Sequence, residues 1–467
     1  MRTFLFLLIS LFFINSAFAD QVRIYGKNKT YANSKIEIKY HSDVFTYSEK
    51  ILSKFTVGED GEFSVDIDVT ETSLVFFPIG IYKAFLYVEP GKEYEIKLPP
   101  KKDLTPVQKL NPYFEKEEFL IGVANAEPTD LNILIRKLDD KIDPFINQNF
   151  HKIYRRKDKS VGILFSDQLK EENKGIENDY FQDYLTYRLG FLEYLAYPAS
   201  FQKIEKKYFE NQEIKLNNSA YTSLYKKQYG NFLTGYFSQK ESSELTNALK
   251  SETTYRDIYE LMRIYPAYKN VNFRELIIAT SVFDAFTRKF YSRKKSLEIL
   301  NDLINHSSNN YNIDLCKNYI SKITHLQKNY PAPDFSIGDY QLANYKGKHL
   351  YLNFCNTESY PCLQDFKEMK KLKDQFGEYV DFLSIACDWD VTKFLQFTHK
   401  KKLDWPIIHI GDQQELIEQY GVKAFPTYIL IDSKGNIVKA PAQGPKENIQ
   451  LEFIKIARDA AREAYRK

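Results

Sequence analysis

The sequence predicts a multidomain protein: an N-terminal antiparallel β-sandwich, an α-helical middle region and a C-terminal α/β domain. Over residues 20–105, apolar residues alternate with polar ones, the period of a half-buried strand. From 106 to 328 the apolar spacing becomes that of helices. From 331 to 467, strand-like and helix-like segments alternate, an order that yields a mixed or parallel sheet covered by helices. A chain of 467 residues has room for about two to four such domains.

Hydrophobic residues make up 43% and charged residues 27%, a globular composition. The formal net charge of +3 argues against a nucleic-acid binder, which must neutralise many phosphates with clustered Lys and Arg. At the N-terminus, Arg2 precedes an apolar run from Phe4 to Leu8, continued by Ile9, Leu11, Phe12, Phe13 and Ile14, and Ala17-Phe18-Ala19 supplies small residues at the two positions that a signal peptidase reads. Residues 1–19 are therefore expected to be a signal peptide cleaved before Asp20. The run is short for a span of ~20 residues, and no other segment is apolar enough to cross a bilayer. No cysteine follows the cleavage site, so no lipoprotein anchor is expected. The mature protein is expected to be exported, soluble and most simply periplasmic, in the envelope of a Gram-negative bacterium.

In the first region the alternating sets are Ile36, Ile38 and Tyr40; Phe63, Val65, Ile67 and Val69; Ala84, Leu86 and Val88; and Tyr94, Ile96 and Leu98. Gly58-Glu59-Asp60-Gly61 and Glu89-Pro90-Gly91-Lys92 are turns between them. In the middle region, Phe181, Leu185, Leu189 and Leu192 share a helix face, and further helices are expected at 128–147, 219–238, 254–264, 273–304 and 313–327. Breaks are expected at Tyr197-Pro198, Tyr265-Pro266 and Ser307-Ser308-Asn309-Asn310. Cys316 falls on a helix and reads as a buried, inert thiol. Beyond Pro331 the expected order is strand 349–354, helix 361–376, strand 380–385, helix 391–399 and strand 406–410. Asp412 and Glu415 have capping-box spacing, and Gly421 is placed to end that helix in a left-handed turn. Two strands flanking Asp432-Ser433-Lys434-Gly435-Asn436 and a helix from about 447 complete the domain.

Four stretches of this last region resemble the TlpA-like branch of thioredoxin-fold proteins, the envelope thiol-disulfide oxidoreductases. They are Ala332-Pro333-Asp334-Phe335; Gly347-Lys348 with Leu350-Tyr351-Leu352-Asn353-Phe354; Tyr420-Gly421-Val422 through Phe425-Pro426-Thr427; and Ile431-Asp432 with Gly435. More loosely, the β-rich start resembles N-terminal domains joined to such modules in Bacteroidetes envelope proteins. The resemblance implies a thioredoxin fold for 331–467 and a cis Phe425-Pro426 bond. It also implies a substrate-binding surface of Phe425, Pro426, Thr427 and Tyr360, with Trp389 nearby, facing an extended peptide or envelope protein. Replacing Phe425 is expected to weaken such binding and leave thermal stability nearly unchanged. No cofactor is implied.

The same resemblance places the family's Trp-Cys-x-x-Cys motif on Glu358-Ser359-Tyr360-Pro361-Cys362, so Ser359 occupies the attacking position and Cys362 the resolving one. Disulfide exchange needs a thiolate attacker, and a serine hydroxyl neither deprotonates readily nor forms a mixed disulfide. Ordinary dithiol exchange is thereby excluded at this pair. Cys355 ends one predicted strand and Cys387 the next, so Cys355, Cys362 and Cys387 could meet at one end of the sheet as a shifted redox set, if α-carbons approach within ~7 Å. Cys362 also shares a helix face with Phe366, Met369 and Phe376, which reads as packing. Ser359-x-x-Cys362 further resembles the Thr/Ser-x-x-Cys of one-cysteine peroxidases, but no arginine lies between Pro331 and Ala457 to hold a thiolate and a peroxide. Seven scattered histidines show no metal-ligand spacing.

Overall fold

The computed structural model describes residues 20–111, 113–156, 159–196, 201–237 and 253–466; the signal peptide expected at 1–19 and the break expected at Tyr197-Pro198 lie outside them. The chain divides into two compact units: Met1–Lys102 with Glu117–Tyr319, and Asp103–Lys116 with Ile320–Lys467.

Alternation in the first unit builds strands β1 (Asp20–Lys27), β2 (Lys35–His41), β3 (Glu49–Thr56), β4 (Glu62–Val69), β5 (Ser73–Ile79), β6 (Tyr82–Val88) and β7 (Glu93–Lys97). Two strands that lack a clear apolar period, β8 (Glu117–Leu120) and β9 (Gly122–Val123), extend this β-structure into the stretch the sequence assigns to helices. Edge pairing recruits them: β8 joins β6 and β9 joins β7. The strand orders are β4-β1-β7-β9 and β3-β2-β5-β6-β8. Pairing is mostly antiparallel, but β1–β7 and β6–β8 are parallel, which corrects the expectation of a purely antiparallel arrangement. Val22, Ile24, Ile38, Phe77, Leu86 and Ile96 belong to one shared core. Gly61 turns the chain between β3 and β4 at φ +88°, where its missing Cβ also leaves room for the Lys29 backbone.

Helices Leu131–Phe150, Lys159–Asn173, Asp179–Ala196, Phe201–Tyr208, Ser219–Tyr229, Tyr255–Arg263, Val271–Thr287 and Arg293–His306 complete this unit, and the division between units falls within Asn310–Thr324. Phe181, Leu185, Leu189 and Leu192 are all buried on their shared face. The continuous helix expected over 273–304 is instead two, because the chain reverses through Lys289 at φ +60° and buries Tyr291.

The second unit holds a short pair, β10 (Ser336–Ile337) with β11 (Tyr340–Gln341), and a five-stranded sheet in the order β14-β13-β12-β15-β16. Its strands are β12 (His349–Cys355), β13 (Val380–Ala386), β14 (Ile407–His409), β15 (Thr427–Ile431) and β16 (Ile437–Ala442). The β12–β13 and β13–β14 pairs are parallel, whereas β15 and β16 are antiparallel. Helices Tyr360–Phe376, Val391–Lys400, Glu415–Gln419 and Gln450–Arg466 accompany the sheet. Residues on opposite faces feed two cores: Leu350, Leu352, Phe354, Leu383 and Ile385 on one, and Tyr351, Phe382, Phe366, Met369 and Phe453 on the other. The helix at Glu415 follows Gln414 with no side-chain cap, so the Asp412–Glu415 capping box is corrected, while Gly421 does take φ +59°.

Candidate functional site

The C-terminal ends of β12 and β13, the start of β15 and the N-terminus of helix Tyr360–Phe376 meet at one end of the sheet. β12 leads into a loop clamped by a buried carboxylate just past β13. Asp388 Oδ1 accepts the Thr357 N–H at 2.9 Å and its hydroxyl at 2.7 Å, and the Asn356 side chain donates to the Cys387 carbonyl at 3.4 Å. Burial pushes the Asp388 carboxyl up, and the Thr357 bonds act against that. From the other side, Thr427 pairs with Phe354, which sets the Phe425-Pro426-Thr427 loop beside the end of β12. The Phe425-Pro426 bond is cis, as expected. Phe425 is half-buried and packs against both cores.

Ser359 is the N-cap of helix Tyr360–Phe376 and makes no side-chain capping bond, and Pro361 suits the first turn because it gives up no needed N–H. Tyr360 is 71% exposed, whereas Cys362 is fully buried on the face that also carries Phe366, Met369 and Phe376. Cys362 Sγ accepts the Asn356 N–H at 3.4 Å. Burial pushes this thiol up, although hydrogen bonds from the Asn356 N–H and the Ser359 hydroxyl draw it partly back. Asp365, one turn along, accepts the Tyr428 hydroxyl at 2.9 Å and pairs with Lys446 at 3.5 Å, so β15 is tied to the helix.

All four cysteines are free and buried. Cys355 and Cys362 share one core, but Cys387 belongs to the other. The Cys355 and Cys387 thiols nevertheless lie against the same Ile385 carbonyl oxygen, at 3.7 and 3.8 Å, and the Cys387 N–H donates to the Cys355 carbonyl at 2.7 Å, so the three thiols gather at one end of the sheet. The difference of core follows from register: on parallel β12 and β13, Cys355 pairs with Ala386, so Cys387 stands one residue beyond its level. Burial raises the Cys355 and Cys387 thiols as well. Cys316, in the other unit, is buried and pushed up to about 12.

An exposed apolar strip adjoins the site. Trp389 follows Asp388 directly and is 50% exposed, and Val391 and Leu395, one helical turn apart, are exposed on helix Val391–Lys400. Lys393 on that helix pairs with Glu358 at 2.7 Å. Val391, Leu395, Asp365 and Asp388 are absent from the sequence-derived set. The i,i+4 spacing of Val391 and Leu395 is the one signal that was available for them. Among the described residues no group of three His, Cys, Asp or Glu could hold a metal ion.

A family model described as Redoxin matches residues 327–452. The thiol-disulfide oxidoreductase ResA of Geobacillus thermodenitrificans is 30% identical over 147 residues, 30% of this chain and 84% of that protein. The chain belongs, through this domain, to the TlpA-like thiol-disulfide oxidoreductases. Another relative of this TlpA-like domain, ResA of Halalkalibacterium halodurans, is 28% identical over 134 residues, 28% of this chain and 76% of that protein. A solved thiol-disulfide oxidoreductase from Bacteroides fragilis is 22% identical, covering 27% of this chain and 98% of its own, with a TM-score of 0.24.

Proposed function

We propose that this chain is an exported protein whose TlpA-like domain has given up ordinary dithiol exchange and serves as a recognition module for an extended peptide or envelope protein. One observation carries the reading. The attacking position is Ser359, and the thiol left at the helix N-terminus, Cys362, is buried with its thiolate disfavoured. A nucleophile needs the opposite environment, exposed and electropositive. The cis-proline loop with Tyr360 and Trp389 then offers backbone groups and aromatic faces that bind without any thiol. Export rests on the leader-like residues 1–19, and among the described residues no helix is long and apolar enough to cross a membrane. A β-sandwich of mostly antiparallel strands remains our reading of the β-rich start, on the strength of two sheets sharing one core.

The test pairs two assays on the mature protein. Insulin disulfide reduction should be absent, and a random extended-peptide library should yield binders that lose affinity in Tyr360→Ala. Reduction at thioredoxin-like rates, or no binder at all, would refute the reading.

A second reading is favoured by a single contact. The Asn356 nitrogen, bonded to the Cys355 carbonyl carbon, sits 3.4 Å from Cys362 Sγ, and both thiols lie on one face. Exchange with a substrate disulfide would then join Cys355 to Cys362 and release the substrate as two thiols, with the two electrons passing to the substrate. Incubation with oxidised glutathione followed by peptide mapping decides it: a Cys355–Cys362 linkage supports this second reading, and four free thiols dismiss it.

A further inference from the structure

An enclosure of aromatic rings in the first unit has no part in the chemistry above. A cavity of about 200 Å³ is lined by Phe45, Tyr47, Tyr225, Tyr229 and Tyr319. Tyr225, Tyr229 and Tyr319 are buried, and Tyr47 stands 58% exposed. At its polar end, the Tyr225 hydroxyl and Thr280 Oγ1 lie 3.0 Å apart. The cation is Lys226. Its Nζ donates to the Tyr47 hydroxyl at 2.7 Å and stands 4.2 Å from the centre of the Tyr47 ring and 5.7 Å from that of Phe45. Among the described residues it makes no ion pair with a carboxylate, unlike Lys83 nearby, which is bridged to Glu49 at 3.0 Å.

The loop that carries Phe45 and Tyr47 is held in place by bonds of its own. Asp43, 3% exposed, accepts the Phe45 N–H at 2.9 Å, the Thr46 N–H at 2.6 Å, the Thr46 hydroxyl and the Asn318 amide at 2.7 Å. The Ser42 N–H donates to the Ser48 carbonyl at 2.8 Å and closes the loop. Within it Tyr47 takes φ +55°, a left-handed conformation rare for an aromatic residue. Strain of that kind persists where surrounding bonds over-determine it, and it concentrates at ligand clamps. The loop thus sets the Tyr47 ring and, through its hydroxyl, the Lys226 ammonium at the cavity before any ligand arrives, which lowers the cost of ordering on binding.

We propose that this cavity binds a small apolar carboxylate, with an aromatic or branched-aliphatic group inside the ring enclosure and the carboxylate on Lys226. Size limits the apolar part: a cavity of about 150 Å³ holds one benzene ring, so the volume here takes a single ring or side chain and no more. The charge chooses the sign, because a carboxylate makes a charge-assisted bond to the ammonium. The carboxylate could end a peptide chain or belong to a free acid, and the test separates these.

Calorimetric titration of the full mature protein with Gly-Gly-Phe, Gly-Gly-Phe amide, phenylacetate and glucose tests the proposal. Saturable binding of at least one of the two acids is expected, with Gly-Gly-Phe amide, which lacks the anion, binding at least about ten-fold more weakly than the acids, or not at all, the size of one charge-assisted hydrogen bond. Lys226→Met, which keeps the stem but not the charge, should cause a loss of about the same size, and Tyr47→Ala should weaken binding without unfolding, since that ring is exposed. Binding of Gly-Gly-Phe alone identifies a chain end, and binding of phenylacetate as well identifies a free acid. No saturable binding of either acid, equal binding of tripeptide acid and amide, saturable binding of glucose alone, or a Lys226→Met protein with unchanged affinity would overturn it. The acid–amide comparison uses the unaltered protein, so it decides even if a variant fails to fold.

Discussion

A single atom, oxygen for sulfur at position 359, separates this site from an exchanging dithiol. Ser359 stands at the N-cap position of a helix whose N-terminal N–H groups favour negative charge, and a thiol placed there would ionise more readily than the buried Cys362. The variant Ser359→Cys is therefore expected to gain insulin reduction, with a new thiol whose alkylation rate rises at lower pH than that of any native cysteine. The unaltered protein should show four thiols that react only after unfolding. Fast native alkylation of Cys362 would contradict the burial argument. A second prediction at this scale concerns His41. Burial, then Lys83, lowers its pKa to about 4, with Lys226 adding and Glu49 and Asp43 opposing. The unfolded chain, with an imidazole near pH ~6.5, protonates first on acidification. The stability from neutral His41 is thus complete above about pH 6.5 and is lost as pH falls towards about 4. His41→Asn should flatten the decline of Tm across that window, and an unchanged slope would show that His41 is not its source.

Helix Val391–Lys400 and the helix starting at Tyr360 carry their exposed apolar residues towards the same loop, which Lys393 and Glu358 tie together. If that surface receives a peptide, Trp389→Ala and Leu395→Ala should each weaken association by several-fold and move stability by less than about 0.5 kcal/mol. Phe425→Ala should behave differently. The ring packs on both cores, so its loss costs on the order of 1–2 kcal/mol as well as affinity, contrary to the expectation from sequence that stability would hardly change. Peptide titration and thermal melts of the three variants distinguish these outcomes. Elements of this kind were legible where the period was strong: the stripe Cys362–Phe366–Met369–Phe376 and the alternation along β4 read directly from the chain. Register was not. Nothing local says that Cys355 pairs in register with Ala386, and that register decides which core each thiol joins. The Thr357–Asp388 clamp, which spans 31 positions, is equally invisible to any local window. Strands β8 and β9 escaped for a related reason, since edge pairing stabilises them and their own sequence does not.

At the level of the molecule, the second unit does not begin where its family resemblance begins. Asp103–Lys116 belongs with Ile320–Lys467, and Leu110 packs against the core built from Ala332, Phe335, Leu350 and Leu352. This segment is locally self-supporting: Thr105 and Gln108 form a reciprocal cap with Pro106 in the first turn. Leu110→Ala in the full chain should lower the protection of β12 and β13 amides in hydrogen exchange by an amount equivalent to about 1 kcal/mol, a partly buried fraction of a full core truncation. The amides of β1 and β4 should exchange at their original rates. Equal loosening of both units, or of neither, would show that Leu110 is no part of this core.

That discontinuity bears on inheritance. A recombination event that cut the chain at Pro331 would carry off the whole Redoxin-like stretch from there on, yet leave behind the leucine that lies against one of its cores. The recipient would receive a domain with an uncovered patch and would need either a substitute side chain or a second crossover around residue 103. Descent of this arrangement as a block, with residues 103–467 moving together, is the route that preserves the packing.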